Sequence, residues 1–124
     1  MADRNILDYK DLIVWQKSMD LVVQVYAITQ KLPHTEQYAL CDQMRRAVIS
    51  IPSNIAEGQA RNSNKEFVRF LSMAKGSKAE LETQILLCKR LKFITDSESN
   101  KVIELLQEIG KMLNALQNSL TTNN

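Results

Sequence analysis

Apolar residues recur along most of the chain at intervals of three and four, the period of an α-helix. Leu12, Trp15, Met19, Val22 and Tyr26 follow one another at 3, 4, 3 and 4 residues. A second stripe, Val14, Leu21, Val25, Ile28 and Leu32, lies roughly 120° round the same helix at about 100° per residue. Gln16, Lys17, Asp20, Gln24 and Lys31 fill the remaining side. This apolar arc is wider than one packing face of a small bundle needs. Two readings fit it: a deeply buried helix, or one that faces both its own bundle and a neighbouring subunit. The helix is expected to start after Asp8, whose carboxylate can cap the free N–H groups of the first turn.

Pro33-His34-Thr35 marks the first turn, with Thr35 as the cap of a second helix. That helix carries Leu40, Met44, Ala47, Ile51 and Ile55 at helical spacing. Pro52 lies inside it and removes one backbone hydrogen bond. A kink is favoured over a break, because the apolar spacing keeps its phase across Pro52. Gly58 offers an end to the helix. Ser63 and Glu66 have the spacing of a capping box, and so do Thr95 and Glu98. Between the boxes run Phe67, Phe70, Leu71, Ala74, Leu81, Ile85 and Cys88. Gly76 sits in mid-helix, where glycine costs about 1 kcal/mol against alanine. The close approach of another helix is the expected compensation. Val102, Leu105, Leu106, Ile109, Met112, Leu113, Leu116 and Leu120 define a fourth helix, with fraying from Thr121.

The expected fold is therefore all-α: one domain over 1–124, an up-down-up-down antiparallel four-helix bundle with its second helix kinked at Pro52. Its helices run over about 9–31, 36–58, 64–92 and 97–119. Only three Gly and two Pro occur in 124 residues, too few for a turn-rich β fold. No apolar run exceeds four residues, far short of the roughly 20 a membrane span needs. The opening Met1-Ala2-Asp3-Arg4-Asn5 lacks the apolar core of a signal peptide, so a cytoplasmic location is expected. In that reducing compartment Cys41 and Cys88 are expected as buried free thiols.

Catalytic chemistry finds little support. His34 is the only histidine and falls in a turn, which argues against a di-iron site or a Ser–His–Asp triad. Glu80 and Glu82 do not share a helix face. No enzyme activity, cofactor or metal is expected. Two other features stand out. Gln43, Ser50, Asn54 and Glu57, separated by 7, 4 and 3 residues, form a polar stripe beside the apolar seam of the second helix. Buried polar groups need partners, so such a stripe can fix register against another helix. The second feature is charge. Residues 41–92 hold ten Lys and Arg against five Asp and Glu, a net of +5, while residues 1–40 carry −1 and residues 93–124 carry −2. Clustered cations attract phosphates by releasing their counterions, without reading base sequence. Arg45, Arg46, Arg61, Lys65 and Arg69 are the chosen contacts, the last three spaced by four as one ridge.

Several segments resemble the 23S rRNA intervening-sequence protein family. Asp11-Leu12-Ile13-Val14-Trp15-Gln16-Lys17, Tyr26, Leu32-Pro33 and Glu36 match its opening. Gln43-Met44-Arg45-Arg46-Ala47 running into Ser50-Ile51-Pro52-Ser53-Asn54-Ile55-Ala56-Glu57-Gly58 is the strongest part. Phe70-Leu71, Ala74-Lys75-Gly76-Ser77 and Glu80-Leu81-Glu82-Thr83 continue it. The resemblance spans roughly residues 8–94. It implies an up-down four-helix bundle assembled as a homopentamer, with Val14, Leu21, Val25 and Ile28 as the subunit contact. A related branch resembles the accessory protein of diversity-generating retroelements, which binds a reverse transcriptase and nucleic acid. The motif of Gln43, Ser50, Pro52, Asn54, Glu57, Gly58, Gly76, Ser77 and Glu80 then reads as structural, with Asn54 and Glu57 packed on the third helix near Gly76 and Ser77. The expected function is electrostatic RNA or DNA binding by a non-enzymatic oligomer; the alternative is a protein-interaction adaptor, such as one docking a reverse transcriptase.

Overall fold

The computed structural model describes residues 8–121, among which there is no strand. Four long helices carry the chain: α1 (Ile13–Thr29), α2 (Asp42–Ala60), α3 (Asn64–Arg90) and α4 (Asp96–Thr121). Contacts pair rising residue numbers on one helix with falling numbers on the next. Cys41 Sγ reaches the Thr29 carbonyl at 3.5 Å, and the Arg45 guanidinium lies 5.9 Å from the centre of the Tyr26 ring. Met44 meets Cys88 at 3.6 Å, and Ser50 meets Ser77 at 2.6 Å. Gln117 donates to the Val68 carbonyl at 3.1 Å, while Lys78 lies against Gly110. Lys17 pairs with Glu108 and Lys31 with Glu98, which closes α1 onto α4. Each helix is thus antiparallel to the helices beside it.

The apolar stripes meet in one core. Leu21, Met44, Ile51, Ile55, Leu71, Leu81, Ile85, Leu106, Ile109 and Leu113 are fully buried, drawn from all four helices. Each such side chain is worth about 1.5–3 kcal/mol when removed from water. Pro52 is buried within α2, and the helix runs through it without a break. Cys41 and Cys88 are free and buried.

The two stripes of α1 exchange the roles the sequence suggested. Val14, Leu21, Val25 and Ile28 lie in the protomer's own core, each 5 % exposed or less. They have no surface left for a neighbouring subunit, so their assignment to a subunit contact is corrected. The outer stripe is the other one: Met19 is 43 % and Tyr26 37 % exposed, with Trp15 and Val22 half-buried. Periodicity fixes the angle between two stripes but not which one meets the core.

Helix ends also depart from expectation. Asp8 does cap, accepting from Lys10 N at 2.9 Å, but it caps a 3-10 turn, Tyr9–Asp11. Leu12 is extended and α1 starts after it. The second helix does not begin at Thr35. A 3-10 turn (His34–Glu36) and a wider π turn (Gln37–Cys41) precede α2 and seat Cys41 on the core. Gly58 does not end α2; it lies inside the last turn, which runs on to Ala60. At α3 only half the box forms: Glu66 N donates to Ser63 Oγ at 3.1 Å, while the Glu66 carboxylate is held by Arg69. Both halves form at α4, through Thr95 and Glu98. Thr121 is still helical, its hydroxyl donating to Gln117 O at 3.1 Å. The expected fraying of 122–124 and the reading of Met1–Asn5 lie outside the described residues.

Candidate functional site

The α2/α3 seam brings most of the polar motif together. Gln43, Arg46, Ala47 and Ser50 of α2 face Ser77 and Glu80 of α3 across an open cleft of ≈ 390 Å³. Two of its lining residues, Ser50 and Ser77, belong to a short hydrogen-bond chain. Asn54 Nδ2 donates to the Ser50 carbonyl at 2.8 Å and to Ser50 Oγ at 2.9 Å, and Ser50 Oγ bonds Ser77 Oγ at 2.6 Å. Asn54 therefore reaches α3 through Ser50. Glu57 does not: it turns outward to Arg61 at 3.0 Å, so its expected packing on α3 is corrected. Beside the cleft, Gln84 is 5 % exposed; its amide N–H lies 3.4 Å from Glu80, and its Oε1 has no hydrogen-bond partner among the described residues.

The two motif glycines behave oppositely. A Cβ built on Gly58 would lie 2.7 Å from Phe70 Cβ and 3.0 Å from Phe67. Gly58 is thus the place where α2 and α3 come closest, a role the sequence gave to Gly76. At Gly76 nothing lies within 4 Å of where a Cβ would stand. The close approach expected there is not made within the protomer.

The five chosen cations fall into two separate groups. Arg45 and Arg61 are 16 residues apart, about 24 Å along a helix rising 1.5 Å per residue. Arg45 is paired with Asp42 at 3.4 Å, and Arg46 lines the cleft. At the other end Arg61 lies past the end of α2, so no helical ridge links it to Lys65 and Arg69. Phe70 gathers two of the three instead: the Arg61 and Arg69 guanidinium carbons lie 5.0 and 4.7 Å from its ring centre. Both are also bound to carboxylates, Arg61 to Glu57 at 3.0 Å and Arg69 to Glu66 at 2.9 Å. The hydrogen bond from Arg69 holds Glu66 below the usual carboxylate range. Lys65 is exposed beside a shallow recess lined by Asn64, Val68, Leu120 and Thr121.

A third cationic group lies at the end of α3. Lys89, Arg90 and Lys92 close α3, and none has an acidic side chain within ion-pair distance among the described residues. Lys92 has a φ of 63°. Its N–H bonds Lys89 O at 3.0 Å, and Phe93 N bonds Cys88 O at 2.9 Å, the pattern in which glycine normally ends a helix. A lysine there costs about 1–2 kcal/mol in backbone strain. The signal available in the sequence was that Lys89 and Arg90 have no acidic residue three or four positions away.

Burial pushes the Cys88 thiol up to about 11 and raises Cys41 as well, with Arg45 partly opposing the latter. Neither is poised as a nucleophile. Among the described residues no group of three His, Cys, Asp or Glu side chains could hold a metal ion, and no helix is long and apolar enough to cross a membrane.

Fold and site together define an antiparallel helical bundle with a polar groove along one seam and, at one end, cations that have no acidic partner among the described residues. The model of the 23S rRNA-intervening sequence protein family matches residues 10–115, and the chain belongs to that family. It is similar in fold to a crystal structure of a protein of unknown function from the S23 ribosomal protein family of Bacteroides thetaiotaomicron VPI-5482. The TM-score is 0.79 at 24% identity, covering 85% of this chain and 98% of that one. No curated protein matches the chain.

Proposed function

We propose that this protein is a non-enzymatic, cytoplasmic, homopentameric bundle that binds RNA or DNA through phosphate contacts, without strict sequence preference. The observation that carries this reading is the end of α3. Lys89, Arg90 and Lys92 follow one another without carboxylate partners among the described residues, and Lys92 keeps its charge at a backbone position that disfavours it. Strain of this kind is retained where a side chain is used. Arg46 and Lys65 add exposed charge, whereas Arg45, Arg61 and Arg69 are already committed to Asp42, Glu57 and Glu66. Repetition of the patch round an oligomer multiplies the counterions that a nucleic acid releases.

The test is a titration of structured RNA and duplex DNA at about 50 and 200 mM salt, a range over which phosphate binding falls steeply. Lys92→Gly is the decisive variant. It relieves the strain, so the melting temperature rises while binding weakens. Arg61→Ala changes binding less than Lys89→Ala or Arg90→Ala. No binding at low salt refutes the reading. The adaptor alternative draws on the exposed apolar stripe of α1, and docking of a protein such as a reverse transcriptase there would be far less sensitive to salt.

A further inference from the structure

The three tyrosines of the chain are placed differently. Tyr9 lies edge-on to Trp15 with ring centres 5.4 Å apart, and Tyr26 has the Arg45 guanidinium 5.9 Å from its centre. Tyr38 has neither a ring nor a cation against it among the described residues, and it is 88 % exposed. A tyrosine ring left in water forgoes most of the stabilisation that its burial would bring. Its turn is unusual as well. Gln37–Cys41 is a π turn, a form that is rare and found mostly at functional places. The turn is anchored at both ends: the buried Cys41 thiol donates to the Thr29 carbonyl at 3.5 Å, and Arg45 donates to the Gln37 carbonyl at 3.5 Å. Tyr38 is thus held out into solvent on a fixed support.

The same end of the bundle carries Lys89, Arg90 and Lys92. Cys88, the residue before them, meets Met44 at 3.6 Å. Burial raises its thiol, and Cys41 and Glu36 lie near enough to add to that. The turn that displays Tyr38 and the run of cations therefore leave the core from neighbouring thiols, Cys41 and Cys88. Of the acidic residues at this end, Asp42 and Glu98 are taken up by Arg45 and Lys31. That leaves the three cations in excess over Glu36 and Asp96. A row of cations holds the phosphates of any nucleic acid. An open aromatic face is more selective, because it takes only a base that is not already stacked inside a helix.

We propose that Tyr38 is the platform on which an unpaired base stacks while Lys89, Arg90 and Lys92 hold the flanking phosphates, so that the ligand is a single strand of RNA or DNA rather than a duplex. This rests on the phosphate-binding reading and deepens it. It also agrees with binding that reads no sequence, since every base presents a π face.

The experiment is a titration of the full-length chain at about 50 mM salt. The probes are oligo-uridine and oligo-thymidine of about 12 nucleotides, within the span of one single-strand site, and a duplex of the same length. The wild type is expected to bind both single strands more tightly than the duplex. Tyr38→Ala weakens single-strand binding by about tenfold, the range for one stacked base, and leaves duplex binding and the melting temperature unchanged. Tyr38→Phe keeps the face and keeps the binding. Lys89→Ala and Arg90→Ala weaken single strand and duplex alike. Tyr38→Trp adds a reporter at the site, and its indole emission falls with the single strands and not with the duplex. Equal wild-type affinity for strand and duplex overturns the inference while leaving the phosphate-binding reading standing, as does a Tyr38→Ala chain that still binds single strands fully. A Tyr38→Phe chain as weak as Tyr38→Ala overturns stacking in favour of a hydroxyl contact. Failure of the wild type to bind any of the probes overturns both.

Discussion

The α2/α3 seam and the α1/α4 seam join the same kind of element by different means. Between α2 and α3 the backbones draw close at Gly58, where Phe70 takes the space of a side chain. A hydroxyl pair, Ser50 and Ser77, forms a rung in the middle, and Met44 meets Cys88 near the far end. Between α1 and α4 the specific links are ion pairs at the rim, Lys17 with Glu108 and Lys31 with Glu98, over an apolar interior. One seam is specified by shape and the other by charge. Shape tolerates few residue types, whereas rim charge tolerates many and contributes little.

The largest test of that contrast is Gly58→Val. The added isopropyl group must enter space held by Phe70 and Phe67, and the clash begins at its Cβ, which cannot rotate away. A loss of about 3 kcal/mol in unfolding free energy is expected in a denaturant titration, the upper range for overpacking. A loss no greater than for an exposed helix position would show that the seam is not tight.

Alkaline pH attacks the same seam. Cys88 ionises near 9.0 when free and only at about 11 when folded, because burial disfavours the thiolate. Below 9 both states are protonated and the contribution is complete. Between 9 and 11 the unfolded chain loses a proton that the folded chain keeps, so stability falls as pH rises. The loss is about 2–3 kcal/mol, at roughly 1.4 kcal/mol per tenfold difference in ionisation. Cys41 is shifted in the same direction by burial and adds to it. Cys88→Ala removes most of this dependence, measured as melting temperature against pH.

The same contrast decides what could be read from sequence. The polar stripe of α2 was legible from its spacing, and Gly58, Gly76 and Ser77 joined it through the family resemblance. Their roles were harder to assign: Gly58 looked like a helix end and Gly76 like a crossing, since composition does not say which helix stands opposite. The four helices and their core stripes were legible from period alone, as the buried Met44, Ile51, Leu81 and Leu113 show. The outward and inward stripes of α1 were not, because both are apolar. Pairings such as Arg61 with Glu57 and Arg69 with Glu66 follow helical spacing, so the sequence itself marks those cations as neutralised, whereas Lys89 and Arg90 have no acidic residue three or four positions away.

Smaller effects refine the picture. Ser77→Ala leaves Ser50 without its cross-helix partner and costs about 1 kcal/mol, the net value of one hydrogen bond. Asn54→Ala costs a similar amount, and the two together cost less than their sum, because both act through the Ser50 hydroxyl. Additive losses would mean that the chain from Asn54 to Ser77 is not one network.

The smallest expected effect lies on the other seam. Lys17 Nζ is 2.9 Å from Glu108, but both side chains keep a third or more of their surface in water, at 34 % and 47 %. Lys17→Met is therefore expected to cost no more than about 0.2–1 kcal/mol at low salt, and less as salt screens the pair. Glu98 gives an independent reading by pH. The Lys31 hydrogen bond, helped by the Thr95 N–H, holds its carboxyl below the usual range. Its contribution is present above the ordinary carboxylate pKa and is lost as pH falls through the lowered one, so Lys31→Met flattens the acid side of the stability profile. If Lys17→Met instead cost as much as Gly58→Val, the α1/α4 seam would be held by charge as firmly as α2/α3 is by shape, and the division between them would fail.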